Sequence, residues 1–331
     1  MELRGKRAAS RELGVLMVTA PETTNSTQQA MTLQEALKQV SMTAANMGNS
    51  AAFEAVLEDW IRFLGGRPGE IAIVDGGSAP AMHDIYWRLF KEKKIDKLQV
   101  IRPEHCENDR EKCYYQEHLA GAFVANPYLL FFKSDTLPYR EGHENWLVEA
   151  MQYLDRPDTF AVGGSFNVPS KHHEAWPGWY FSDKCSLNFA LMKRITFMKA
   201  MEEFAGEYIA SGFRGKSPMG PNGGRYVMES AFERYIQNHQ QYTLVKVEDP
   251  TWTVFHTNIQ GKRLMEVREK YLARVGVERY MNAKVNNRVW GGCFYGQPER
   301  RWLNFKWKLS ELVIQPVCRG IKRLLGMAAS L

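Results

Sequence analysis

The sequence predicts an α/β protein built on a mainly parallel central sheet with helices on both faces. From residue 39 to residue 135, strand-like and helix-like stretches alternate without a break. The strands among them are continuous apolar runs, as buried parallel strands are, rather than alternating ones. Each run ends in a short polar turn, and ligands of such sheets bind beyond the carboxyl ends of the strands.

The elements follow in order. Val40-Ser41-Met42-Thr43-Ala44 is a short strand that ends at Asn46-Met47-Gly48-Asn49. Ala51 to Leu64 carries Phe53, Val56, Leu57, Trp60, Ile61 and Leu64 at helical spacing, and Gly65-Gly66 stops it. Glu70-Ile71-Ala72-Ile73-Val74 is a buried-type strand running into Asp75-Gly76-Gly77-Ser78. A helix from Met82 to Glu92, a strand at Leu98–Ile101 and a helix over roughly Glu111–Val124 come next. Tyr128-Leu129-Leu130-Phe131-Phe132 is the most apolar strand and leads into Lys133-Ser134-Asp135.

The second half is less regular. Strands are expected at Phe160–Gly164, Leu187–Met192, Tyr242–Val247 and Trp252–Phe255, with a helix starting near Val227. An aromatic loop, Trp176-Pro177-Gly178-Trp179-Tyr180, and a Gly/Pro-rich loop, Gly212 to Gly224, interrupt them. The expected organisation is an N-terminal extension over 1–38, an α/β domain over 39–260 and a basic helical region over 261–331.

Composition narrows the function classes. With 331 residues, 44% of them hydrophobic, the chain can bury a sizeable core and is not a disordered chain. No run of 18 uncharged apolar residues predicts a membrane span. The basic start, Met1 to Arg7, is followed by no apolar core and cleavage site, so no secretory signal is expected. Cys106, Cys113, Cys185, Cys293 and Cys318 form no CxxC pair, which speaks for a reducing, cytoplasmic setting rather than a zinc ribbon or disulfide framework.

The charge is unevenly spread. From Lys262 to Leu331 there are 15 Lys+Arg against 5 Asp+Glu, a surplus of +10 that leaves −4 for the first 261 residues of a chain with net charge +6. The basic surplus therefore belongs to the tail, and nucleic acid is not the expected partner of the main body. Trp302, Leu303, Leu309, Val313, Ile314, Val317, Ile321, Leu324 and Leu325 share one side of a helical wheel, and Arg301, Lys308, Glu311, Arg319 and Lys322 the other. That pattern suits peripheral docking on an anionic membrane surface or a helix packed on the domain.

Two acidic residues at strand ends are the first candidates. Asp75 can accept hydrogen bonds from a nucleobase or ribose, with Gly76 and Gly77 allowing close approach, or it can anchor a strand-to-helix turn with Ser78 as cap. Asp135 is placed to hold Mg²⁺ or Mn²⁺ on a diphosphate, since hard cations take oxygen ligands. The dinucleotide fingerprint GxGxxG is absent, which argues against a dehydrogenase.

Taken together, Val40-Ser41…Asn46, Ile73-Val74-Asp75-Gly76-Gly77-Ser78 and Tyr128–Asp135 resemble the nucleotide-sugar half of GT-A glycosyltransferases, family 2 in type. The likeness runs over about residues 39–260. It implies that Asp75 and Ser78 lie at the donor's base or ribose, and that Asp135 holds Mn²⁺ or Mg²⁺ on its diphosphate. One departure is plain: Lys133 stands where the family's Asp-x-Asp motif begins with a carboxylate, so either Asp135 holds the metal with other ligands or Lys133 partly replaces cation charge against the phosphates.

The resemblance also assigns later residues. His256 would complete the metal site. Glu229 would be the base that deprotonates the acceptor hydroxyl, with Glu233 one turn on, although Ser230 replaces the acidic residue usual after Glu229. Independently of the resemblance, the clustered Trp176, Trp179 and Tyr180 can stack on acceptor sugar rings, as aromatic faces do, or pack within the core or loop. The donor implied is a UDP-sugar, and the acceptor a glycan or lipid-linked intermediate at the inner face of a membrane.

Two rivals stand beside this reading. A nucleotidyltransferase of similar core would need a basic Gly-rich loop after the first strand, and Asn46-Met47-Gly48-Asn49 has no basic residue. A non-catalytic membrane- or nucleic-acid-binding protein acting through the tail leaves the strand-end acids of the main body unexplained.

Overall fold

The structure, a computed structural model, describes residues 31–101, 109–163, 171–172, 179–214, 228–246, 250–281, 294–297 and 309. Its main element is a nine-stranded sheet in the order β3-β2-β1-β4-β9-β6-β10-β8-β7. These strands are β1 (Val40–Asn46), β2 (Glu70–Asp75), β3 (Lys97–Val100), β4 (Tyr128–Phe132), β6 (Thr159–Gly163), β7 (Lys171–His172), β8 (Trp179–Ser182), β9 (Phe189–Lys193) and β10 (Tyr242–Lys246). The pairings β3-β2-β1-β4 and β6-β10 are parallel, and β8 and β9 run against their neighbours. A two-stranded antiparallel sheet, β5 (Thr136–Arg140) with β11 (Trp252–His256), stands apart.

The continuous apolar runs work because both faces are covered. Val40, Met42 and Ala44 of β1 and Leu130 and Phe132 of β4 join one core with α2 (Phe53–Leu64), α3 (Pro80–Lys91) and α5 (Trp146–Leu154). Leu129 and Phe131, one residue out of step, join the second core with α4 (Asp109–Ala122), α6 (Arg194–Ala210) and α7 (Met228–Asn238). The period of two along each strand thus divides one apolar run between two cores.

Local signals set the ends. Thr32 and Glu35 form a reciprocal capping box on α1 (Leu33–Lys38). Gly65, at φ 86°, ends α2 in the left-handed conformation that a glycine adopts without strain. The expected α/β class with a mainly parallel sheet and helices on both faces is the one found.

Some elements differ from expectation. Trp179 and Tyr180, expected in a loop, lie in β8, where they pair with Lys246 and Val245 of β10. Pro177-Gly178 just before them gave the segment its loop signature. The elements β5, α5 and α6 were not anticipated. Helix α8 (Gly261–Leu272) opens the region expected to be basic and helical, and it is clasped to α2, where Arg268 makes two contacts to buried Asp59, the longer at 2.7 Å. Trp176, residues 215–224 of the Gly212–Gly224 loop and, apart from Leu309, the amphipathic tail beyond 300 lie outside the described residues. No helix among the described residues is long and apolar enough to cross a membrane.

Candidate functional site

The carboxyl ends of β1, β2 and β4 converge on a polar junction. Asn46, the last residue of β1, accepts from the Ser134 hydroxyl at 2.6 Å and donates to the Tyr86 hydroxyl at 2.6 Å. Gln116 of α4 donates to the carbonyls of Asn46 and Val74, each at 2.7 Å, so one amide ties the ends of two strands. A Cβ on Gly76 would come within 2.6 Å of the Gln116 side-chain oxygen, which is why glycine stands there.

Asp75 is fully buried and fully engaged. The backbone N–H groups of Gly77 and Ser78 donate to its Oδ2 at 2.8 Å each, and the hydroxyls of Ser78 and Tyr86 donate to Oδ1, Tyr86 at 3.0 Å. His83 Nε2 lies 3.3 Å from Oδ2. Of the two readings open for this carboxylate, the geometry is that of the turn anchor. Burial, with Asp75 beside it, raises the Tyr86 phenol pKa, so this hydroxyl stays a donor. Ser78 is committed as well, because its hydroxyl accepts the Gly48 N–H at 2.7 Å.

Asp135 and His256 are brought together. The pairing of His256 with Thr136 across β11 and β5 sets the imidazole next to the residue before Thr136. His256 Nε2 lies 2.9 Å from Asp135 Oδ2, and each side chain is 16% exposed. The Thr257 N–H and hydroxyl both donate to the Asp135 carbonyl, at 3.0 and 2.8 Å, and so fix the backbone beneath the pair.

Asn49 locks this corner. It is buried at φ 65°, a left-handed conformation that asparagine tolerates. Its amide donates to the Ser134 carbonyl at 2.7 Å, and its Oδ1 accepts the Gly261 N–H at 2.8 Å. One side chain therefore joins the loop after β1, the turn after β4 and the start of α8.

Beside the pair is a cleft of about 340 Å³ lined by Asn258, Ile259, Gln260, Arg263, Phe294 and Gln297. The Phe294 ring stands edge-on to His256, with centroids 5.5 Å apart. The first turn of α8 carries no acidic residue, and Arg263 faces the cleft. Amides, a guanidinium and a helix start suit an anionic, oxygen-rich ligand.

Glu229 occupies the first turn of α7, where its Oε1 accepts the Leu187 N–H at 2.9 Å. Glu233 pairs with Lys184 at 3.8 Å, and burial raises its pKa. Lys133 lies 3.6 Å from Glu117 of α4, a residue that no sequence signal had singled out. Burial pushes Glu117 up to about 7; Lys133 opposes that shift and the nearby Glu229 adds to it. Trp179 packs on Tyr153 of α5 with ring centroids 5.0 Å apart, and is partly buried against the first core.

Among the described residues no three His, Cys, Asp or Glu side chains gather as a metal site. One carboxylate and one imidazole at 2.9 Å form a partial donor set for a divalent ion, which fits Mn²⁺ or Mg²⁺ if diphosphate oxygens and water complete the shell.

No protein-family model and no curated protein matches the chain. Among solved structures it is similar to the mannosyltransferase PcManGT from Pyrobaculum calidifontis in complex with GDP-Man and Mn²⁺, at 13% identity and TM-score 0.43, over 74% of this chain and 64% of that one. It is also similar to GalNAc-T7 with UDP, GalNAc and Mn²⁺, at 12% identity and TM-score 0.43, over 84% of this chain and 57% of that one. The chain thus spans less than two thirds of the length of either.

Proposed function

We propose that the protein is a GT-A-like, metal-assisted glycosyltransferase that transfers a sugar from a nucleotide sugar to an acceptor hydroxyl. The observation that carries this reading is the Asp135–His256 pair, 2.9 Å apart, just beyond the carboxyl end of β4 and beside the polar cleft. Such a pair at such a place suits a cation bridged to a diphosphate.

In this reading Asp135 and His256 hold Mn²⁺ or Mg²⁺ together with the donor's phosphate oxygens. The ion, when bound, supplies charge that stabilises the leaving nucleoside diphosphate. Lys133 adds a fixed positive charge two positions earlier in the chain. Glu229, oriented by the Leu187 N–H, accepts the proton of the acceptor hydroxyl as its oxygen bonds to the sugar's anomeric carbon and the bond to the diphosphate breaks. The proposed donor is a UDP-sugar and the proposed acceptor a glycan or lipid-linked intermediate, with Trp176, Trp179 and Tyr180 as candidate stacking residues. The basic tail would keep the enzyme on the inner face of an anionic membrane.

The test is a thermal-shift panel of UDP, GDP, CDP and ADP with and without Mn²⁺, because a ligand that binds only the folded state raises its melting temperature. A Mn²⁺-dependent shift with one diphosphate, followed by hydrolysis of the matching nucleotide sugar, is the expected result. No shift with any of the four, measured at millimolar ligand, would sink the reading.

A further inference from the structure

Three exposed apolar side chains gather on one side of the molecule. Trp87 is 55% exposed and Phe90 40%, one turn apart on α3, with their rings edge to face and centroids 6.0 Å apart. Val100 of β3 is 38% exposed. Leu98 packs against the first core, as do Met82, Tyr86 and Leu89 of α3, so Val100, two residues on, faces the side of the sheet that α3 covers. Clustered apolar side chains left in water mark an interaction surface.

The strand beside them is an open edge. β3 stands first in sheet order, paired with β2 on one side and with no described strand on the other. Every second residue of such a strand turns its N–H and C=O outward, toward a further strand. Proteins often guard an edge with an outward lysine. Lys97, the lysine of β3, turns back instead: its Nζ lies 2.7 Å from Glu70 and donates to the Phe123 carbonyl at 2.8 Å.

We propose that this surface takes a second copy of the chain, with β3 antiparallel to β3 of the copy and α3 antiparallel to α3 of the copy. Both contacts obey one axis. An antiparallel strand pair has a two-fold axis perpendicular to the sheet, and that axis keeps the helices of one face on the same face, where the two α3 helices meet head to tail. The charges agree with this arrangement. Asp84 and Lys91, both exposed, lie one turn before Trp87 and one turn after it on the same helix face. Reversing the helix brings each Asp84 to Lys91 of the other copy, around a centre formed by Trp87 and Phe90, as a polar rim surrounds aromatic anchors. Asp135 stays clear of the interface, because β4, which leads to it, lies three strands in from this edge. The inference does not depend on the glycosyltransferase reading.

Sedimentation velocity of the full chain over a dilution series tests it, on the parent and on variants at these exposed positions. W87S/F90S should raise the dimer dissociation constant at least about a hundredfold, as loss of aromatic anchors does. D84K and K91E should each raise it about tenfold or more, because each sets like charges together twice per dimer. D84K/K91E should dimerise like the parent. A mixture of D84K with K91E should form mixed dimers more tightly than either variant pairs with itself, since both charge contacts are then restored. This rescue separates the proposed arrangement from any loss of folding in a single variant.

A parent that stays monomeric at about 100 µM, well above the dissociation constants of functional dimers, would overturn the inference. So would a dimer unchanged in W87S/F90S, or single charge variants that dimerise poorly and are not rescued by mixing. A monomeric parent that binds anionic vesicles, with binding lost in W87S/F90S, would assign the surface to lipid in place of a second copy.

Discussion

Asp135 and His256 are 121 residues apart in sequence and 2.9 Å apart in space. They meet because β11 pairs antiparallel with β5 in a register that sets His256 opposite Thr136. If the pair holds a divalent ion, D135N should abolish Mn²⁺-dependent binding of a nucleoside diphosphate. H256A should weaken it at least about tenfold, since groups merely hydrogen-bonded to metal ligands already contribute that much. Titration calorimetry with UDP and Mn²⁺ checks both, and unchanged affinity in the two variants would remove the metal assignment.

Glu229→Gln preserves shape and removes the proton acceptor. Turnover should fall by about 10²–10⁴-fold with the affinity for the nucleotide sugar kept, the usual contribution of a general base. The single-turnover rate with donor and acceptor is the measurement. Full turnover in this variant, beside a crippled Glu233→Gln, would move the role to Glu233.

Asp75 gives the opposite expectation. Its oxygens are taken up by the turn they anchor, so D75N should lower unfolding free energy by about 1–3 kcal/mol. Nucleotide affinity of the folded fraction should stay within a factor of two. Chemical denaturation followed by titration on the same sample decides it, and a large loss of affinity without loss of stability would restore Asp75 as a donor contact.

Arg268 ties α8 to α2 through buried Asp59, with Arg62 as the carboxylate's second, mostly exposed partner. R268A should cost about 1–3 kcal/mol, because it leaves buried Asp59 with only the mostly exposed Arg62 as partner. R268A/D59L should recover much of that loss. Urea unfolding of the three proteins makes the comparison.

His118 should shape the acid limb of stability. Burial pulls it down to about 4, so its contribution to stability is complete above pH 6.5 and is lost as pH falls through 4. H118F, beside Phe197 and Phe213, should flatten the decline of melting temperature over that range. An identical decline in both proteins would rule His118 out as its source.

Much of the sheet was legible because its signals are local. Runs such as Tyr128–Phe132 announce buried strands by composition alone, and the polar residue after each run marks where ligand chemistry would gather. The pairing of Asp135 with His256 was expected from family likeness rather than from periodicity. Asn49, Gln116 and Glu117 were invisible, since each draws its meaning from a partner distant in sequence. Helix α6 was missed although Phe197, Met201, Phe204, Ala205 and Tyr208 fall on one face at helical spacing; exposed Ile195 on the opposite side blurs the pattern. Trp179 was misplaced by a Pro-Gly pair that ends one residue before a strand begins.

The pairing of β5 with β11 also bears on the order in which the molecule matures. Strands β1 to β4 and the helices between them lie within residues 40–132 and can dock while later segments are still being synthesised. His256 reaches Asp135 only after more than a hundred further residues have been made, a long loop to close. Until then the nascent chain can carry a folded scaffold whose strand end lacks its histidine partner. If the pair holds a cation, competence to hold it arrives only when the late strand zips onto the early one.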